Sequence, residues 1–501
     1  MEIFTYMLHG FQIALTPNNL LFGFLGCLAG TLVGILPGLG PPATLAMILP
    51  LTFSMDHTTA MIMMCGVYYG AMYGGSTTSI LINIPGENSS VMTCLDGHQM
   101  ALNGRAGAAL GISAISSFVA GTFSVVGLML FAPPLATYVL KFGPPEYFAL
   151  VFFGMVTLVF LGGKSLIKGL MSAILGFLLG TVGSDPVQGI DRFVFGIPEL
   201  IDGIDFVVVV MGLFGIAEIM VNLEGEVNRE LLNAKIKGLW PNLQELKDSA
   251  GPVARGTLIG FFKGILPGSG ATLSTILSYT LEKMLSKHPE EFGKGAIQGV
   301  AGPEAANNAA TGGAMIPLLT MGIPAHSTTA IMMGAMMMWG LRPGPLLFEQ
   351  NPDFVWGLIA SMYIGNVICL ILNLPLVPLF AKTLKTPAPI MYSLIILVCL
   401  IGAYSINGNL LDLWLLLIFG FVGYVMKKLQ FPVAPAVLAI VLGPLLERSL
   451  YQSLTSSHGN VLIFFQRPIA ATLMALSLLV FCFGIYAMFR KSPIPLDVDE
   501  I

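Results

Sequence analysis

Charge is what this chain lacks most. Asp, Glu, Lys and Arg make up 10% of its 501 residues, against about 25% in an ordinary soluble protein, too few to clothe a water-soluble fold. The 23 basic and 27 acidic residues leave a net charge of −4, and no basic run exists to neutralise phosphates, which excludes nucleic acid as a partner. The six cysteines, Cys27, Cys65, Cys94, Cys369, Cys399 and Cys482, stand singly, without a CxxC pair or a histidine at zinc-ligand spacing. Neither a disulfide framework nor a transition-metal site is expected. No Lys or Arg precedes the first apolar stretch and no small-residue cleavage site comes after it, so the N-terminus reads as a retained span and not as a cleaved signal.

Catalytic motifs are missing too. None of the six histidines forms HExxH. The run Gly162-Gly163-Lys164-Ser165 has Leu158 where a phosphate loop requires glycine. Gly268-Ser269-Gly270 follows Pro267 and is not a nucleophile elbow. The chain is expected not to be an enzyme and to need no organic cofactor.

What abounds is apolar sequence, 55% of the chain. A bilayer crossing takes about 20 residues, so the composition allows about 10–12 membrane spans. The expectation is an all-α polytopic integral membrane protein in a lipid bilayer. The one long charged stretch, Leu223 to Gly251, reads as a linker.

The two sides of that linker resemble each other. GCLAGTLVGILPGLG (Gly26 to Gly40) recurs as GTLIGFFKGILPGSG (Gly256 to Gly270), with Pro37 matching Pro267, 230 residues on. GGSTTSILINIPGE (Gly74 to Glu87) is answered by GGAMIPLLTMGIPAH (Gly312 to His326), with Pro85 matching Pro324 at 239. The extra polar loop Ser286 to Gly293 falls where the offset grows. Gly121, Pro134, Lys141, Pro145 and Gly176 then match Gly365, Pro378, Lys385, Pro389 and Gly420, all at 244. The predicted organisation is a first repeat with an N-terminal span over 1–222, a polar linker over 223–252, a second repeat over 253–447, and an additional span and tail over 448–501.

Each repeat mixes long apolar segments, such as Tyr147 to Leu161 and Val355 to Leu372, with short interrupted ones: Ala43 to Phe53, Thr77 to Ile84, Ala271 to Leu281 and Ala314 to Ile323. A break is also expected at Thr311-Gly312-Gly313. Irregular backbone at membrane depth survives only when buried in protein or lining a cavity, and Gly/Pro-broken segments at matching places in two halves point to a mid-membrane binding site. Glycines after Pro37 and Pro267 permit left-handed backbone, and the prolines beyond them in the first repeat start a new half-helix. Such N-termini carry roughly half a positive charge and bind carboxylates without Arg or Lys.

GILPGLGP, YGGSTTSILINIPGE, GILPGSGATLS and above all GPEAANNAATGGAMIPLLTMGIPA resemble the large membrane subunit of tripartite tricarboxylate transporters, the TctA-like proteins, from about Leu20 to Leu446. The resemblance implies a multi-pass carrier of the bacterial inner membrane. It implies as partners a small membrane subunit and a periplasmic solute-binding protein that delivers an organic carboxylate, and uptake by symport with a cation, Na⁺ or H⁺. It also implies that the repeats are inverted and that part of the chain moves as an elevator. A self-sufficient carrier or exchanger that needs no binding protein is the alternative.

The broken segments supply the candidate site residues. Substrate contact is expected from Gly38, Gly40, Ser76, Thr77, Thr78, Pro85, Gly86, Gly268, Ser269, Gly270, Pro324, Ser327 and Thr328. Asn307, Asn308 and Thr311 offer oxygens for a hard cation, and Glu87, Glu304 and His326 are candidate coupling groups. Each has a plainer alternative: membrane Ser and Thr often bond back to helix carbonyls, adjacent amides bond between helices, and a lone histidine is commonly just hydrogen-bonded. The glycines every fourth residue before Pro37 and Pro267 read as helix packing, and Arg105 and Arg342 as interfacial anchors. Arg490 and Lys491 favour a cytoplasmic C-terminus.

Overall fold

The computed structural model describes residues 2–36, 39–161, 165–185, 189–224, 238–268, 270–380, 382 and 388–489. The chain is an all-α polytopic membrane protein. Of the described residues 81% are helical, and the strands among them are the two-residue pair Gly183–Ser184 and Asp191–Arg192. Seven helices among the described residues are long and apolar enough to cross a bilayer, and five shorter apolar helices of 10–17 residues accompany them.

Packing divides the chain into two units, residues 1–141 with 205–425, and residues 142–204 with 426–501. The division obeys contacts and draws each unit from both sides of the linker. The smaller unit packs Pro144–Leu161, Leu166–Gly180, Val433–Ser456 and Pro468–Phe489 together. A Cβ on Gly176 would strike the Ala436 backbone, so the Leu166–Gly180 and Val433–Ser456 helices touch main chain to main chain.

The larger unit carries the candidate residues. The helices that bear on them are α1 (Glu2–Ala14), α2 (Pro17–Gly34), α3 (Pro41–Ile48), α4 (His57–Ile82), α5 (Ala106–Val139), α6 (Leu243–Ile265), α7 (Gly270–Leu285), α8 (Gln298–Met321), α9 (Ser327–Met338) and α10 (Pro352–Asn373). With 13 residues α1 falls short of a crossing, and it packs on α10. Two stretches of wide helix, Cys94–His98 and Ala101–Arg105, precede α5, and the second contains Gly104 at φ +76. The helix α6 starts at Leu243, inside the stretch expected to be linker, where Asn242 and Glu245 cap each other's backbone N–H groups.

The glycine stripes do what their spacing predicts. A Cβ on Gly26, Gly30 or Gly34 would run into the carbonyls of Met63, Val67 and Ala71 on α4, and one on Gly256, Gly260 or Gly264 into those of Gly302, Ala306 and Ala310 on α8. In both cases the absence of side chains lets two helices meet at their backbones, the close approach that stabilises helix pairs in lipid.

After each long helix the chain turns in the same manner. Asn83 ends α4 at φ +57 and Gly322 ends α8 at φ +67. Glu87 and His326 then take extended backbone and cap the next helical segment. Beyond the turns the partners cross over: α3 packs against α9, and α7 packs against residues 88–93. Asn366 Nδ2 on α10 donates to Thr122 Oγ1 on α5 at 3.2 Å, joining positions 244 residues apart, the interval of the third set of sequence matches.

The helix α8 corrects one expectation. No break occurs at Thr311-Gly312-Gly313; the helix runs unbroken to Met321. The two glycines are there for space, since a Cβ on Gly312 would strike Ser124 and one on Gly313 the Phe261 carbonyl. Likewise Thr77 to Ile82 and Ala314 to Met321 are the ends of long helices, and the interruptions come after them.

Candidate functional site

Four helix starts succeed the four Pro/Gly breaks, at Gly40, Glu87, Gly270 and His326. Gly38 and Ser269 lie outside the described residues. Gly40 caps α3 with ordinary extended backbone, φ −77 and ψ 173, and does not use the left-handed freedom that glycine permits; Pro41 and Pro42 fix the start of the helix. The second break does use left-handed glycine, with Gly268 at φ +127 and Gly270 at φ +46.

Two of these starts meet. Gly268 N–H donates to Ala325 O at 3.0 Å, and a Cβ on Gly270 would sit 3.0 Å from His326 Cδ2. His326 Nε2 is 2.9 Å from the Tyr68 hydroxyl of α4. In the first half Gly86 takes the corresponding place, with no room for a Cβ against Gly34 O and Gly75. Thr78 Oγ1 donates to Ile35 O at 2.5 Å and so satisfies a carbonyl freed where α2 ends. Pro85 and Ser327 are half-buried, while Thr77, Pro324 and Thr328 are buried.

The acidic candidates separate into two polar clusters inside the larger unit. Glu87 accepts from its own helix start, at Ser89 N–H (2.8 Å) and the Ser89 hydroxyl, and from Asn307 Nδ2 of α8 at 3.2 Å. Ser89 is also 2.7 Å from Asn307 Oδ1, so both polar atoms of the Asn307 side chain are engaged with the first break.

Glu304 is the second centre. It lies on α8, 1% exposed, and hydroxyls from three other segments reach it: Ser76 of α4 at 2.6 Å, Thr93, and Ser117 of α5 at 3.4 Å. Asn308, one helical turn further, donates from Nδ2 to Ser117 Oγ at 2.7 Å and to Glu304 O at 3.1 Å. Its Oδ1 is buried without a hydrogen-bond partner. Thr311 donates to Asn308 O at 2.6 Å, the back-bonding expected of a membrane threonine. A buried carboxylate surrounded by neutral groups is costly in an apolar setting, and it is held here by hydroxyls from three other segments.

The model of the tripartite tricarboxylate transporter TctA family matches residues 20–438. The chain belongs to the TctA family. The match takes in both glycine stripes, all four breaks and both acidic clusters, and membership makes the chain a subunit of a tripartite transport system in a membrane. Over 500 residues, all of both chains, it is 47% identical to a protein of Agrobacterium vitis described as an uncharacterized 52.8 kDa protein in the TAR-I ttuC' 3' region. A second Agrobacterium vitis protein, described as uncharacterized in the TAR-II ttuC' 3' region, is 45% identical over 241 residues, 48% of this chain and all of that one. No solved structure matches.

Sequence reasoning singles out both glutamates of this TctA-family chain but not all the hydroxyls that hold them. Ser89, Thr93 and Ser117 escape it because they reach α8 from segments about two hundred residues away in the chain. A usable signal exists, since Ser113, Ser116 and Ser117 are three hydroxyls clustered within five residues of a mainly apolar helix. Arg105 and Arg342 are exposed, and Arg105 Nη2 pairs with Glu245 at 2.7 Å.

Proposed function

We propose that the protein is the large transport subunit of a binding-protein-dependent system of the bacterial inner membrane, taking up an organic di- or tricarboxylate with a cation. A small membrane subunit and a periplasmic solute-binding protein are the proposed partners. Family membership over residues 20–438 is the observation that carries this reading.

The geometry supports it in two respects. Helix starts after the breaks offer N–H groups to an anion without Arg or Lys, and those at Gly270 and His326 adjoin each other. The proposed substrate contacts are the break loops around Gly38, Gly40, Pro85, Gly86, Gly268, Ser269, Gly270, Pro324, Ser327 and Thr328, together with Ser76, Thr77 and Thr78. Ionisable side chains inside a membrane protein are functional by default, and Glu87 and Glu304, with Asn307, Asn308, Thr311 and His326, are the proposed cation and coupling groups.

We further read the two sides of the linker as inverted repeats. The stripes contact equivalent carbonyls, Asn83 and Gly322 end equivalent helices, and α3 with α9 mirrors α7 with residues 88–93.

A charge moved down 100 mV is worth about 2.3 kcal/mol, close to 50-fold accumulation per net charge. The potential therefore drives accumulation only where the cations carried exceed the negative charge of the carboxylate, and that excess is the quantity to measure. Uptake of labelled carboxylate by cells expressing the complete system tests the site. Asn308→Ala and Gly40→Leu are expected to abolish uptake with membrane insertion intact; undiminished uptake in both overturns the assignment.

A further inference from the structure

Glu304 and Asn308 pose a specific problem of unmet valence. Among the described residues no Lys, Arg or His side chain bonds Glu304; the hydroxyls of Ser76, Thr93 and Ser117 reach it instead. One turn along the same face, Asn308 Oδ1 is buried, on a residue 0% exposed, and accepts nothing. The amide cannot be turned over to cure this. Its Nδ2 donates to Ser117 Oγ at 2.7 Å and to the main-chain Glu304 O at 3.1 Å, and a flip would set Oδ1 against that carbonyl and orphan the nitrogen. Asn307, its neighbour, differs in having a polar group within hydrogen-bond distance at both ends of its side chain, Glu87 at Nδ2 and the Ser89 hydroxyl at Oδ1.

A buried carboxylate with no basic partner and, one helical turn along α8, an amide oxygen with no donor share one remedy, and Ser117 touches both side chains. We propose that Glu304, Asn308 Oδ1, Ser117 and Ser76 form a sodium site, distinct from the Glu87–Ser89–Asn307 cluster. One carboxylate calls for a monovalent ion, and an all-oxygen donor set calls for a hard one. A cation answers both the carboxylate and the orphan amide, whereas a proton answers the charge alone. The ion would tie α8 to α4 through Ser76 and to α5 through Ser117. Ser76 lies two residues from Thr78, which bonds Ile35 O where α2 breaks, so occupancy would fix the end of α4 that supports the first break. The role of the site in coupling rests on the transport reading; its existence does not.

The test is equilibrium binding of radioactive sodium to the purified full-length chain in lipid nanodiscs, without carboxylate or partner proteins. Saturable binding is expected for the native chain. It is expected to be lost in Glu304→Gln and weakened at least about tenfold in Asn308→Ala, a loss of roughly 1.4 kcal/mol. Ser361→Ala, whose hydroxyl bonds back to Leu358 O on α10, is expected to bind as the native chain does. If Glu304→Gln does not fold, Asn308→Ala and Ser117→Ala decide, each checked by whether sodium in place of choline raises the unfolding temperature. No saturable sodium binding by the native chain, or binding unchanged in the Asn308 and Ser117 variants, overturns the proposal. Carboxylate uptake driven by protons with no sodium bound would sink the site and leave the transport reading standing, and sodium binding without carboxylate uptake would do the reverse.

Discussion

Adding one methyl group to either glycine stripe measures how the two stripes pack. An ideal Cβ on Gly30 lies 2.8 Å from Val67 Cα and 2.9 Å from its carbonyl carbon; on Gly260 it lies 2.7 Å from Ala306 Cα and 2.8 Å from its carbonyl carbon. Carbon atoms prefer about 3.5–4.0 Å, and the obstructing atoms are main chain, so each pair of helices must part by about 0.7 Å or more. Overpacking of this kind costs about 1–3 kcal/mol. Alanine in place of glycine inside a helix returns about 0.5–1 kcal/mol. The net expectation for Gly30→Ala and for Gly260→Ala is a loss of about 0.5–2 kcal/mol each, equal within about 0.5 kcal/mol because the geometry is the same, and additive in the double variant. Gly40→Ala is the control: its nearest obstacle is Pro42 Cδ at 3.5 Å and its φ is −77, so stability should stay within about 0.5 kcal/mol. Thermal unfolding in a fixed detergent and lipid mixture, read by size-exclusion chromatography, supplies the comparison. Unchanged unfolding in both stripe variants refutes the packing argument; collapse of one and tolerance of the other refutes the claim that the two stripes make the same contact.

Three other contacts carry expectations of their own. Asp96 is buried, accepts N–H groups of Gly293, Gly295 and Ala296 at 2.8–2.9 Å and the Tyr279 hydroxyl at 2.9 Å, so Asp96→Ala should lower stability by about 2–4 kcal/mol and speed hydrogen exchange at residues 293–296; unaltered exchange there contradicts the role. A double-mutant cycle on Asn366→Leu and Thr122→Val should give a coupling of about 0.5–1 kcal/mol, and zero coupling means the 3.2 Å bond contributes nothing. At the polar end of α6, burial pushes the Glu245 carboxyl up, but the Arg105 guanidinium and the Asn242 N–H outweigh it and hold it below its ordinary value of 4.5. A lowered folded value adds stability above the unfolded value and loses it as pH falls through the folded one, so exchange at residues 242–248, corrected for its intrinsic pH dependence, should quicken in acid and stay constant from about pH 6 to 8.

The fold is legible where one residue type has one use. Proline followed by glycine in a membrane helix stops it, and the stops near 35–40, 83–87 and 266–270 stand where Pro37, Pro85 and Pro267 lead the eye. Glycine alone is ambiguous. A missing Cβ serves either a left-handed turn or a close contact, and Gly312 and Gly313, expected to break α8, instead make room for Ser124 and Phe261. Prolines within helices add to the difficulty, since Pro303 and Pro317 sit inside α8 and Pro133 and Pro134 inside α5 without ending them. The acidic clusters are half legible. Glu87 and Glu304 stand out in a chain so poor in charge, but whether each is solvated or clothed by hydroxyls depends on which distant segment faces it. Ser117 reaches Glu304 from 187 residues away, and no local pattern records that.

Scarcity of charge thus leaves few groups to couple a cation to an anion, and the most direct test is flux. Proteoliposomes holding this chain with its small membrane subunit, supplied outside with the loaded solute-binding protein, should accumulate labelled carboxylate under an imposed sodium or proton gradient. Collapsing both gradients should reduce that uptake to equilibration, and omitting the binding protein should abolish it. Accumulation that persists with both gradients collapsed contradicts cation-coupled transport, and full uptake without the binding protein contradicts the tripartite mechanism in favour of a self-sufficient carrier.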